Sequence, residues 1–418
     1  MSQATFANNS GSMLLGGQVI VKLLEGKKTV NDFDNFRQNL VRNNEALLKE
    51  FLDKFIILPD GTYKPSIKTK SYFDRSEYDG QFMSDRRQGK GVIHYKNGEK
   101  YFGDWKNDLM EGSGTYLYPN GEVYQGDFTA GKRHGKGKYI FFNGNYYEGD
   151  WKEGKKHGKG SYYYFGTDEL YIGEFFEGER DGNGTFKYAY GDMFEGSWRN
   201  GKRHGQGILT SAGGDIYTGE WVDDFASGQA VMAQANGDRY EGSYLKSKKN
   251  GYGKTVFKNG ENYEGDYRDD MRNGNGRYVY ESRDSYDGEW KGDVRSGRGI
   301  YKFTNGDVYE GDWIKDRMSG VGTLQTKQGE KYTGEFLEGQ FHGEGSMLYS
   351  TGDMHRGFWQ HGFKHGSGIF TWKTGEVLNA KWNKDKFEGR GTLTHTDRKE
   401  YIVVFEDGKL VDKVPIKK

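Results

Sequence analysis

Aromatic residues and glycines alternate with polar residues along this chain, and the alternation repeats every 23 residues. Counted from its first aromatic, one copy reads Y-x-G-x-F/W, six variable residues, then G-x-G. Copies start at Tyr78, Tyr101, Tyr124, Tyr147, Tyr171, Phe194, Tyr217, Tyr240, Tyr263, Tyr286, Tyr309, Tyr332, His355 and Leu378, 14 in all, with one extra residue in the copy at 147–170. Positions 1, 3 and 5 share one face of a strand, and positions 2, 4 and 6 the other, because side chains alternate along a strand. The latter are mostly polar, as in Glu148, Asp150 and Lys152. The second half behaves alike: glycine at 12 and 14 (Ala230 is the exception), an apolar residue at 16, often an aromatic at 18. The pattern predicts strands over roughly positions 1–6 and 13–18, joined by a polar link. Asn97-Gly98 and Asn305-Gly306 mark turns to the next copy, since both residue types tolerate positive φ. Chained hairpins make an antiparallel meander.

A fixed period of this length marks stacked repeats. The expected fold is all-β: an elongated, single-layer antiparallel β-meander solenoid over 78–400, preceded by a small α-helical extension at 1–77 and followed by a cap and tail at 401–418. At about 4.8 Å per strand, 14 hairpins extend on the order of 130 Å. Position 5 is aromatic in all 14 copies and holds eight of the nine tryptophans. Nothing in the repeat covers the ring-bearing face. It is therefore expected to form a partner groove lined by Tyr124, Phe128, Tyr147, Trp151, Tyr171, Phe175, Phe194, Trp198, Tyr217 and Trp221, because long apolar surfaces mark interaction sites. The glycines at 12 and 14 are expected to leave bare backbone under rings at 1 and 5.

Ahead of the array, residues 18–24 read as a short strand and residues 31–56 as a helix. Its apolar residues Phe33, Phe36, Leu40, Leu47, Phe51 and Phe55 fall three, four or seven apart, and Pro59-Asp60-Gly61 ends it. Such a helix either caps the open sheet edge of the first repeats or docks a partner as a helix in a groove.

Composition narrows the classes. Glycine at 66 of 418 residues excludes a helical solenoid. Four prolines and no third-position glycine exclude collagen, and the aromatic content argues against a disordered linker. Lysine plus arginine equals aspartate plus glutamate, 61 each, so nucleic acid is not expected as a partner. There is no cysteine and no apolar run long enough to span a membrane. The opening residues lack the features of a secretory signal, so an intracellular protein is expected.

Candidate chemistry is sparse. No G-x-G copy has the P-loop order; Lys248 stands where Gly253-Lys254-Thr255 would need a preceding glycine. His134, His157, His204, His342 and His365 share position 11 among basic neighbours and read as solvated turn residues. Position 4 carboxylates suit cross-strand pairing. No catalytic residue, metal or cofactor is expected. Lys132, Arg133, Lys155, Lys156, Lys202 and Arg203 recur at one register. They are either a solvated face or a basic edge for anionic phospholipid.

The motif YxGxWxxGxxxGxG at this period resembles the MORN repeat, over residues 78–400 with a partial copy from Tyr401 to Gly408. The resemblance implies a β-hairpin array and a scaffold role in cytoskeletal or ciliary assemblies, such as a radial-spoke-like axonemal complex. It also implies partners within a multi-subunit complex and homodimerisation through C-terminal repeats. A peripheral membrane tether is the competing reading. His355, Leu378 and Ala380 depart from the motif at the C-terminal end.

Overall fold

The computed structural model describes residues 30–64 and 66–416. The strand expected at 18–24 lies outside them. The chain forms two units, Met1–Ala212 and Gly213–Lys418. The first holds a helix, α1 (Val30–Phe51), a π-helical turn at Leu52–Ile56, and strands from β1 (Lys68–Ser71) and β2 (Glu77–Met83) to β13 (Lys202–Thr210). The second holds strands from β14 (Ile216–Val222) to β30 (Glu400–Glu406) and β31 (Lys409–Pro415). Within each unit, successive strands pair antiparallel in an open meander.

Each copy is one hairpin. In the second copy, β4 (Lys100–Lys106) and β5 (Leu109–Leu117) are joined by Asn107-Asp108, with φ of 51° and 71°. Two positive φ values make the primed turn whose twist matches that of the strands. The link is therefore two residues long, and the second strand starts at position 9, not 13. Polar residues at 9–11 had suggested a loop, but they are strand residues with one polar face. The Asn-Gly pairs do lie between copies, in longer turns: Gly98 N–H donates to Tyr95 O at 3.0 Å and Tyr95 N–H to Glu99 O at 2.9 Å.

The glycine at 14 lies under the position 1 ring as expected, while the one at 12 does not. Position 3 faces position 14 within one hairpin, as Gly126 faces Gly137. The position 1 ring folds over that pair: a Cβ on Gly137 would stand 2.6 Å or less from Tyr124 Oη, Cζ and Cε2. Position 12 serves another purpose. Gly135 has φ +59° beside a register shift in the β-ladder, and a Cβ there would meet Asp127 Oδ2 at 2.6 Å. Such a bulge favours glycine because a side chain strains at positive φ. The Asp127 carboxylate closes it by accepting from Lys136 N–H at 3.0 Å.

The helix sits on the face opposite the rings. Leu40 is buried there with Val92, Phe102, Leu117 and Val123, and the half-buried Leu47, Phe51 and Phe55 pack against them. Asn44 Nδ2 donates to Gly121 O at 3.3 Å, and Phe33 and Phe36 meet the Phe165 ring at 4.9 and 5.0 Å. Phe165 belongs to the copy with the extra residue. The longer connection there seats the helix's first turns. The expectation that α1 covers the sheet edge is corrected: β1 pairs on β2 at that edge, and the helix crosses the sheet face instead. Val92, Phe102, Leu117 and Val123 hold it there; the positions of Val92 and Phe102 are polar in most copies.

Candidate interaction surfaces

The ten rings expected to line a groove are core residues. Tyr124, Tyr147, Tyr171 and Phe194 are 0% exposed, and Phe128, Trp151, Phe175, Trp198, Tyr217 and Trp221 are 3–6% exposed. They bury one another. Tyr124 meets Phe128 of its own hairpin at 5.1 Å and Trp151 of the next at 5.2 Å, both edge-on. Tyr147 repeats this with Trp151 at 5.2 Å and Phe175 at 4.9 Å. Edge-to-face ring pairs contribute about 0.5–1.5 kcal/mol each beyond area burial. The polar tips are satisfied as well. Tyr124 Oη donates to Asp127 O at 2.9 Å, and Trp151 Nε1 donates to Gly137 O of the preceding hairpin at 3.0 Å. A row of rings in a one-layer sheet looks open in sequence. Here each Tyr–Trp pair closes over the glycines of the same and the neighbouring hairpin.

The basic register divides in two. Arg133, Lys156 and Arg203, at position 10, turn toward the rings: Arg133 lies 4.5 Å over Trp151, Lys156 5.4 Å over Phe175 and Arg203 5.6 Å over Phe194. Arg133 Nη2 also donates to Gly154 O at 2.9 Å. Burial lowers the Lys156 amine from its ordinary pKa. Lys132, Lys155 and Lys202, at position 9, are exposed. Lys132 pairs with Glu153 at 2.6 Å and Lys155 with Glu177. The hydrogen bonds from these lysines, then their charges, hold both glutamates below the usual carboxylate range. A uniform basic edge is thus absent from Lys132 to Lys156. Alternation along the strand sends half of these cations inward, and neighbouring acids neutralise two of the rest.

The histidines at position 11 sit in strands rather than turns. His134 and His157 are half buried opposite Asp127 and Asp150. Among the described residues, no three potential metal ligands come together. A cavity of about 210 Å³ lies against Tyr240, Tyr244, Lys249, Thr255 and Asp270, where Thr255 stands in place of a ring. It is smaller than the roughly 300–1,000 Å³ of small-molecule sites.

What the array demonstrably holds is a helix. Leu40 and Phe51 of α1 fit an apolar patch on the outer face, the Phe51 and Phe102 rings meet at 5.3 Å, and Arg37 lies 4.1 Å over Phe142. The helix periodicity was legible in sequence. Its seat was not, because Val92, Phe102, Leu117 and Val123 lie in different strands and come together only through the ladder.

No curated protein sequence matches the chain. Among solved structures, the SAS-4 (dCPAP) TCP domain of Drosophila melanogaster, solved with a proline-rich motif of Ana2 (dSTIL), is 13% identical, with a TM-score of 0.21, over 47% of this chain and 88% of that one. The TCP10 domain of Danio rerio CPAP is 12% identical, with a TM-score of 0.15, over 64% of this chain and 98% of that one. Scores this low carry no argument. The MORN repeat family model matches 14 segments in succession, from 78–100 and 101–123 through 355–377 and 381–398. Built from these hairpins over most of its length, the chain belongs to the MORN-repeat family.

Proposed function

We propose that this protein is a non-catalytic scaffold within a multi-subunit cytoskeletal assembly, of the ciliary, radial-spoke-like kind. MORN repeats mark protein-interaction or membrane-binding scaffolds. The observation that carries the protein-interaction reading is α1 itself: the outer sheet face accepts an amphipathic helix through side chains that strand register lines up. The paired lysines weigh against a tether that reads anionic lipid through Lys132 and Lys155. A second copy is a further candidate partner. Leu410, Val411 and Val414 of β31 are exposed, and among the described residues β31 pairs on one side alone; an open strand edge invites another strand.

Tagging the protein at its own locus in the source cell tests the setting. A defined large complex, co-localised with axonemal or cytoskeletal structures, is expected. A diffuse, monomeric protein with no stable co-purifying subunits overturns it. Sedimentation of the purified chain, with and without Val411→Lys, tests the self-association arm.

A further inference from the structure

Position 16 breaks its pattern once. Thirteen copies place isoleucine, leucine, methionine, phenylalanine or tyrosine there, and the copy starting at Tyr240 places Thr255. The Thr255 hydroxyl and Tyr267 Oη share a buried hydrogen bond of 2.6 Å, so the exchange orphans no polar group. What it gives up is volume. The cavity of about 210 Å³ stands at this point, against Met232, Tyr240, Tyr244, Lys249 and Thr255 of the second unit. Protein interiors leave few spaces of this size, and a local rule broken without internal filling points to function.

Neighbouring copies show the shape of the missing group. A cation at position 10 lies over the position 16 ring of its own hairpin: Lys156 is 4.7 Å over Tyr162, Arg272 5.0 Å over Tyr278 and Arg295 5.3 Å over Tyr301. The ring hydroxyl donates to the acid 17 residues earlier: Tyr139 to Glu122 at 2.7 Å, Tyr278 to Glu261 at 2.7 Å and Tyr301 to Asp284 at 3.0 Å. The other oxygen of each acid accepts a backbone N–H just past the ring, as Glu261 does from Glu281 at 3.2 Å. Both flanking groups are in place at Thr255. Lys249 lies 4.5 Å over Tyr240 and 5.5 Å over Tyr267, and position 16 supplies no third ring. Asp238, at the acid's place in this copy, lines the cavity and accepts from Lys258 N–H at 2.9 Å. Its other oxygen accepts from the exposed Asn236 amide at 2.9 Å, and a carboxylate oxygen has room for a second donor.

We propose that this cavity takes the phenol ring of a tyrosine carried by a partner protein. The ring lies under Lys249, a contact that strengthens as it is desolvated, and its hydroxyl donates to Asp238. Size limits the ligand. A cavity of about 150 Å³ accepts benzene, so one phenol fits, whereas larger ligands use roughly 300–1,000 Å³. A phenylalanine would leave the Asp238 oxygen without its donor. The exposed tyrosines of a second copy are engaged already: Tyr63 in a β-bridge with Ile57, Tyr190 stacked on Tyr188 at 6.3 Å, and Tyr252 donating to Glu264 at 2.9 Å. The proposal rests on the scaffold reading and names how one partner is anchored, since buried aromatic side chains carry much of the energy of an interface.

The test uses the full chain and ligand-observed NMR titration. A blocked glycine pentapeptide with a central tyrosine is expected to bind, and its phenylalanine counterpart at least about fivefold more weakly, because the phenol alone reaches Asp238. Thr255→Tyr supplies the ring from within. It is expected to melt no lower than the parent and to abolish binding of the tyrosine peptide. Asp238→Asn keeps the cavity and the acceptor for Lys258, and is expected to erase the preference for tyrosine over phenylalanine. Equal binding of the two peptides to the parent chain, or unchanged tyrosine binding in Thr255→Tyr, overturns the proposal. So does a lower melting temperature of Thr255→Tyr, because the space then lacks the shape of a ring. Binding of p-cresol without binding of the peptide makes this a site for a free phenol and overturns the partner as its source. Self-association that Thr255→Tyr abolishes assigns the ring to a second copy and does the same. If the peptide fails while the tagged protein still purifies in a defined complex, this site falls and the scaffold stands. If the complex is also absent, both fall.

Discussion

Replacing Gly137 with alanine tests how the ring row is closed. The added Cβ would lie 2.3 Å from Tyr124 Oη and 2.5 Å from Cζ, inside any tolerable contact. Tyr124 cannot swing away freely. Its hydroxyl donates to Asp127 O at 2.9 Å, and its ring is held edge-on by Phe128 and Trp151. Overpacking of this kind costs about 1–3 kcal/mol, and losing the hydroxyl's bond adds about 1 kcal/mol. The protein supplies its own bound. Ala230 occupies the same position opposite Gly219, and Tyr217 there is 6% exposed rather than buried outright, with its bond to Glu220 O intact at 2.9 Å. A loss of about 2–4 kcal/mol is therefore expected for Gly137→Ala. Gly154→Ala is the control. Its φ is +84° and a Cβ meets nothing within 4 Å, so it carries only the left-handed strain of about 1–2 kcal/mol.

Urea unfolding followed by tryptophan fluorescence measures both, with hydrogen exchange to localise the loss, since repeat arrays open segment by segment. Tyr124→Leu should relieve the clash, giving a coupling of at least about 1 kcal/mol in the double-mutant cycle with Gly137→Ala. The chain pairs the two changes once on the facing side of the hairpin: Leu378 replaces the tyrosine where Ala380 replaces the position 3 glycine. Equal losses from the two alanine variants, or strict additivity in the cycle, would refute the reasoning.

Other outcomes follow from particular contacts. His355 is fully buried in place of the usual tyrosine, both its ring nitrogens lack partners, and burial lowers its pKa to about 4. The unfolded imidazole, near its ordinary 6.5, binds the proton more readily, so stability is complete above about pH 6.5 and falls as pH drops toward 4. His355→Tyr should remove that part of the difference between melting curves at pH 7 and pH 5. Phe165→Ala should free the first turns of α1, by about 3–5 kcal/mol of local packing, seen as faster exchange at Phe33 and Phe36 but not at Phe55. Trp151→Phe should cost about 1 kcal/mol in urea unfolding by removing the Nε1 bond to Gly137 O. Lys132→Gln with Lys155→Gln should leave sedimentation with anionic vesicles unchanged, and a salt-sensitive loss would restore the tether reading.

Much of this protein was legible in one dimension. Hairpins follow from period-two alternation over each copy, and the meander follows from their succession, because strand neighbours are sequence neighbours. The helix followed from the spacing of Phe33, Phe36, Leu40, Leu47, Phe51 and Phe55. Turn placement was harder to read, since Lys132, Arg133 and His134 look like a loop until the ladder shows them as strand.

Sequence by itself determined the repeat, the face each residue takes and the family. Only the tertiary structure decided which surfaces remain open. Whether a ring is exposed depends on the rings one hairpin away, about 23 residues along the chain, and on a glycine pair opposite it. That closure buries Tyr124 and Trp151, turns Arg133 onto the ring row, and leaves the opposite face to α1 in one unit. In the other unit the same face presents Leu348, Met354, Phe358 and Ile369. Alternation fixes direction within a strand, but burial is set by what neighbouring strands bring into contact.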